Sequence, residues 1–357
     1  MKKLIQYEFR KIFKRRLTWI AVLAVLLLSF ALSFSTYQNK FAFDGRNQAS
    51  GRDAVEMDKA IAAKYKGVLT DEKVQQMLSE LVPKSDSRGL NAIYLYQNSM
   101  QSAVAARFSD INGNWNGQSA SDVFGDEEIR IGYVDGWICA SRDMTKMFLL
   151  LSFAVIIMIA PVFCTEYDGV DNIILSSRYG RSKCAAAKVI AGFLATVIIT
   201  AVVVSGNMAQ AFLFYGKDGL DCSILFAPLV SISEYIPFNI TCGTLLRYQI
   251  LLAFTGTIST AGITMIFSAL CKNQMAALVA SVAVYVFPAI LPAAESGTLF
   301  RLATLSPLYH VLFVPIMSVS QIKDGILFAV FAIPIAVLFA IVGYLASCKI
   351  FAGHQVF

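Results

Sequence analysis

The sequence predicts an all-α polytopic membrane protein: six transmembrane helices, an N-terminal amphipathic interfacial helix and a mainly helical extracellular domain. Three observations predict it. The 357-residue chain is 57% hydrophobic and only 15% charged, whereas soluble chains run near 45–50% apolar with about a quarter charged. Six runs, 17–37, 147–164, 189–214, 250–271, 275–294 and 326–348, contain no Asp, Glu, Lys or Arg. Each is near the roughly 20 residues that a helix needs to cross a hydrocarbon core about 30 Å thick. Basic residues gather at alternate ends of these runs, as the positive-inside rule requires.

Residues 1–16, MKKLIQYEFRKIFKRR, carry Leu4, Ile5, Phe9, Ile12 and Phe13 on one helical face, with charges on the other. A basic amphipathic helix of this kind lies in the headgroup plane against membrane lipids. Tyr7, Phe9, Arg10 and Phe13 are its candidate interfacial residues. Seven Lys or Arg stand in these sixteen positions, so the chain starts in the cytoplasm and 17–37 crosses outward. That run lacks a small-residue cleavage site after it, which a removable signal peptide would need.

Residues 38–146 form the expected extracellular domain, with mixed charges. Within it TDEKVQQMLSEL (70–81) sets Val74, Met77, Leu78 and Leu81 at helical spacing, with Thr70 placed to cap the start. Residues 90–108 have a similar helical character, and NGNWNGQ (112–118) reads as turns. The span 147–164 returns to the cytoplasm, and a loop at 165–188 leads into the span 189–214. The extracellular loop 215–249 holds an apolar stretch broken by Pro228, Glu234 and Pro237; the segment 295–325 holds another, broken by Pro307, His310 and Pro315. Both are expected as short helices on or dipping into the outer leaflet, since irregular backbone at membrane depth must be shielded. Between them lie 250–271 and 275–294, and 326–348 is followed by a cytoplasmic tail at 349–357. Thirteen basic residues then fall inside, against four in the two shorter outside segments; the long 38–146 segment does not bear on orientation. Both termini are cytoplasmic in this topology.

Neither a catalytic nor a metal site is legible. The seven Cys show no metal-ligand spacing, and His310 and His354 are the only histidines. The positive net charge sits at membrane boundaries and does not indicate nucleic-acid binding. Cys222 and Cys242 share the 215–249 loop, as a disulfide or as two free thiols. Asn207 and Gln210, three apart on one helix face, are candidate pathway residues or partners in an inter-helix hydrogen bond. Gly256, Thr260 and Thr264 recur every four residues, a packing pattern. No span has an acidic residue near its middle, as an ion-coupled carrier would show, and no internal repeat divides the chain into halves.

The loop reads TEYDGVDNIILSSRYGRSKCAAAK. Its acids come first and its bases last, matching a helix dipole, and Ile173, Ile174 and Leu175 make an apolar patch that calls for a partner to cover it. Together with YEFRKIFKRR before the first span and the large insert after it, this loop resembles bacterial ABC-2 type ABC transporter permeases. Glu166, Gly169, Leu175, Ser176, Arg181 and Lys188 fit that family's run of acid, glycine, apolar–Ser stretch, arginine and lysine; Val170 and Tyr179 depart from its usual Thr and Pro. The resemblance implies a transport subunit in the bacterial plasma membrane, not an enzyme, exporting a hydrophobic or amphipathic compound or peptide. It implies pairing with a second permease copy or a related one, and a separate cytoplasmic ATPase that uses ATP and Mg²⁺. The chain has no phosphate loop and binds no cofactor itself. Glu166, Gly169, Ile174, Leu175 and Arg181 become the implied ATPase-coupling residues. A membrane-anchored sensor or accessory protein with a ligand-binding extracellular domain is the alternative.

Overall fold

The computed structural model describes residues 1–84, 97–167, 180–228, 236–290, 298–319, 321–323 and 326–353. Helices dominate them: α1 (Lys2–Lys14), α2 (Arg16–Gln38), α3 (Gly51–Tyr65), α4 (Asp71–Leu81), α5 (Ser99–Phe108), α6 (Ala120–Phe124), α7 (Asp135–Ile159), α8 (Pro161–Cys164), α9 (Ala185–Tyr215), α10 (Cys242–Leu270), α11 (Gln274–Val286), α12 (Thr298–Thr304), α13 (Pro307–Leu312), α14 (Val314–Ser318) and α15 (Ala332–Ala352). The strands are short antiparallel pairs: Phe41–Phe43 with Gln48–Ser50, Gly67–Val68 with Arg130–Ile131, and Gln321–Lys323 with Ile326–Leu327.

Five helical stretches among the described residues are long and apolar enough to cross a membrane: Arg16–Gln38, Asp135–Cys164, Ser182–Tyr215, Cys242–Leu270 and Phe328–Ala352. The chain therefore has the makings of a membrane-embedded protein. The run expected as a span at 275–294 is realised as a shorter apolar helix, Gln274–Ile290, which tightens into a 3₁₀ turn at Phe287–Ile290 around Pro288; residues 291–294 lie outside the described residues.

The helix ends differ from the apolar runs for local reasons. Helix α7 begins at Asp135 rather than 147, because Arg142, Asp143 and Lys146 interrupt the hydropathy and not the backbone. Helix α10 begins at Cys242 rather than 250, where Thr241 Oγ1 accepts the Thr244 N–H at 3.1 Å as a cap. The last helix begins at Ala332 rather than 326; Pro334 sits in its first turn, where a missing N–H costs nothing. Residues 216–228 and 236–241 carry no helix, against the expected short helices there; residues 229–235 of that expectation lie outside the described residues. Pro228, Pro237 and Gly219, whose φ is +82°, break the pattern.

The chain divides into two compact units. Unit 1 comprises Met1–Ser29, Met144–Asn207 and Tyr248–Phe357. Its helices meet through small residues and shared hydroxyls. Gly262 and Gly343 touch backbone to backbone: a methyl on Gly343 would come within 2.7 Å of Gly262 Cα. Gly256 gives room to Val311 and His310 of α13. Thr260 and Thr264 return their hydroxyls to the carbonyls of Gly256 and Thr260 at 2.8 Å, so packing accounts for this stripe. Helices α13 and α14, separated by Phe313 at φ +43°, supply helical structure in the expected 295–325 segment.

Unit 2 comprises Phe30–Asp143 and Met208–Arg247, so it takes residues from two of the three segments expected outside, 38–146 and 215–249. Helix α4 matches its prediction: Thr70 accepts the Lys73 N–H at 3.3 Å, and Val74, Met77 and Leu78 are buried. Helix α5 is capped by Asn98, which accepts the Gln101 N–H at 2.8 Å; residues 90–96 of that expectation lie outside the described residues. Residues 112–118 are turns and bends around a bridge from Trp115 to Ser109. Helix α3 had no sequence counterpart in our reading. The core holds Tyr65, Met77, Phe108 and Trp137, and the Trp137 indole donates to the Asp218 carbonyl at 2.7 Å.

Candidate functional site

The densest polar site of unit 1 is a buried ionic cluster that joins α1 to both ends of the 168–179 segment. Its members are Glu8 and Lys11 on α1, Glu166 just after α8, and Lys188 in the first turn of α9. Lys188 is completely buried. Its ammonium donates to Glu8 Oε2 at 3.0 Å and also to Glu166 Oε1. Lys11 donates to the same Glu166 oxygen. Two carboxylates thus face two ammonium groups. Lys188, Glu8 and Glu166 are buried, and burying any of the three alone would cost several kcal/mol; their pairing, with the half-exposed Lys11 at the rim, makes the burial tolerable.

Neighbouring contacts fix the same place. The Arg15 guanidinium donates to the Pro161 carbonyl at 3.0 Å and to Thr165 Oγ1 at 3.3 Å. Burial lowers the Arg15 pKa, opposed by Cys164, Glu8 and Glu166. The Phe163 N–H donates to Ser268 Oγ at 2.9 Å, and the Tyr167 hydroxyl to the Ala269 carbonyl at 2.7 Å. Phe351 of α15 packs on the Phe163 ring, with centroids 5.2 Å apart. Residues 163–167 are therefore held by α1, α10 and α15 together. The cluster contains no nucleophile–base pair, and no group of three or more His, Cys, Asp or Glu among the described residues could hold a metal. What this arrangement can do is carry a displacement from one pinned element to another.

Among the expected coupling residues, Glu166 is at the centre of the cluster. Gly169, Ile174 and Leu175 lie outside the described residues. Arg181 falls in the π-helical turn Gly180–Cys184. Among the interfacial candidates, Tyr7 and Arg10 are exposed and Phe9 and Phe13 half-buried. The buried positions of α1 are Glu8 and Ile12. The face that packs on protein thus includes an acid, a correction to the reading that all charges lie opposite the apolar stripe. Sequence reasoning missed Glu8, Lys11 and Lys188 as a set. The available signals were a single acid in a basic helix and a lysine leading directly into an apolar run.

Asn207 is buried and satisfied: it accepts from Ser29 Oγ at 2.8 Å and donates to the Val203 carbonyl at 2.8 Å. That is the inter-helix bond of the two readings offered for it. Gln210 is half-buried on α9.

No family model matches the chain, and no curated protein or solved structure matches it either.

Proposed function

We propose that this chain is the membrane permease subunit of an ABC transporter, exporting a hydrophobic or amphipathic compound or peptide. A separate cytoplasmic ATPase docks on the 165–188 loop, and a second permease completes the pathway. One observation supports this reading above the others. The two places where the sequence resembles such permeases, the N-terminal helix and the loop, supply all four members of one buried ionic cluster: Glu8 and Lys11 from the first, Glu166 and Lys188 from the second. A loop anchored at both ends is suited to passing an ATP-driven push into the spans, as a rigid-body switch requires. In this reading the membrane is the bacterial plasma membrane, both termini are cytoplasmic and unit 2 is outside.

In this reading a cytoplasmic phosphate-loop ATPase should be encoded beside this chain, and the test is co-purification with it. Ile174→Glu or Leu175→Glu should abolish association while leaving membrane insertion unchanged. Association that survives both changes removes the docking assignment.

A second reading, a sensor with an outward ligand-binding unit, is favoured by one feature. Unit 2 has a cavity of about 290 Å³ lined by Lys59, Lys66, Tyr133, Asp218, Gly219 and Cys222 among others. A sensor would need no ATPase, so the same co-purification separates the readings.

A further inference from the structure

Two cysteines of unit 2 face each other across antiparallel backbone. Ser223 and Thr241 form a bridge. On one side of it the Ile224 N–H donates to the Ile240 carbonyl at 3.0 Å; on the other the Cys242 N–H donates to the Cys222 carbonyl at 2.9 Å. Cys222 and Cys242 are therefore the residues next to this isolated bridge, joined by that one hydrogen bond, while the Cys222 N–H turns to the Gly219 carbonyl at 3.1 Å; both are free thiols in the structure. Residues opposite each other across antiparallel backbone leave the same face, with Cα atoms ~5.5 Å apart. A disulfide accepts Cα separations of roughly 4.4–6.8 Å.

The pairing is held by more than its own two strands. The Ser223 N–H donates to the Arg130 carbonyl, and the Gly243 N–H to the Leu220 carbonyl, both at 2.8 Å. Both thiols are buried, at 1% and 0% exposure. The Cys222 sulfur sits against Gly132, where a methyl group would come within 2.6 Å of it.

We propose that Cys222 and Cys242 are joined as a disulfide in the mature protein, tying the segment after α9 to the first residue of α10. This rests on the outward placement of unit 2 in the function proposed above, because disulfides persist in oxidising compartments. The two thiols release two protons and two electrons. The electrons reduce a disulfide-form thiol oxidant of that compartment to its dithiol, and one S–S bond forms. The attacking species is a thiolate, and burial pushes the Cys222 thiol up to about 11.

The test uses the full-length protein, alkylated with N-ethylmaleimide in denaturant without reductant and then digested for mass spectrometry. The expected result is a linked peptide pair spanning Cys222 and Cys242, lighter by two hydrogen atoms than its parts and lost on reduction, with the other five cysteines alkylated. Intact cells treated in parallel with a membrane-impermeant amine reagent report the placement through the exposed Lys64 and Lys66. Labelled lysines with both cysteines alkylated overturn the disulfide alone. Unlabelled lysines overturn the outward placement, and the permease topology with it.

Discussion

In unit 1 two ammonium groups, Lys11 and Lys188, face two carboxylates, Glu8 and Glu166. In unit 2 the ammonium of Lys40 is spent on Asp135, and a second acid, Asp58, is buried near them at 2% exposure. Asp58 accepts the Ser99 N–H at 3.0 Å; Asp135, Lys40 and Tyr133 are the charged or titratable groups that act on it. The consequences differ. Burial, and then the neighbouring Asp135 charge, raise the Asp58 pKa to about 7. Burial opposes the Lys40 charge, but Asp135 outweighs it and holds the ammonium above its ordinary value. The unmatched acid of unit 2 keeps a proton in play near neutrality.

Three changes break or sharpen this contrast. The largest effect is expected for Lys188→Met, which leaves Glu8 and half of the Glu166 pairing unmatched in a buried site. Removing one partner of a buried ion pair costs ~3–5 kcal/mol, so unfolding in detergent should move by that amount. Adding Glu166→Gln to it should recover part of the loss. No recovery would mean that packing, not charge balance, holds α1 in place.

Next comes Asp58→Asn. A carboxyl whose folded pKa is raised binds more protons folded than unfolded. Wild-type stability therefore falls as pH rises from the ordinary carboxylate value of 3.8 toward about 7, and is flat outside that window. The difference is worth about 4 kcal/mol, at roughly 1.36 kcal/mol per pKa unit. The uncharged amide of the Asp58→Asn variant would carry no such penalty and can still accept the Ser99 N–H. Denaturation compared at pH 5 and pH 8 should find the variant's advantage growing with pH. An advantage equal at both would place the titration elsewhere.

Thr70→Ala is the smallest and serves as the control within unit 2. It removes a helix cap and no charge, so it should cost about 1 kcal/mol, equally at pH 5 and pH 8. A pH-dependent loss there would mean that unit 2 titrates as a whole and Asp58 is not its source.

What the sequence made legible is local. Thr70 and the residues after it declare helix α4 because a cap and its apolar repeat lie within one window. The first apolar run declares α2 nearly to the residue. Span ends were less legible, because hydropathy stops at Lys146 while the helix continues back to Asp135. The joining of 208–247 with 30–143 in one unit was not legible, since no periodicity records which distant loops share a core. The ionic cluster of unit 1 lay beyond reach for the same reason: Glu8 and Glu166 meet through Lys188 across 180 and 22 positions of chain. Each looked like an ordinary boundary charge when taken alone.

The Gly262–Gly343 crossing has a mechanical corollary. Most packed helices interlock through side chains, so sliding one along the other must lift each tooth over its neighbour. Where Gly262 and Gly343 cross, α10 and α15 have no such tooth, and the Phe339 carbonyl is the nearest obstruction to any group added at Gly262. A single methyl at either glycine would wedge that crossing open.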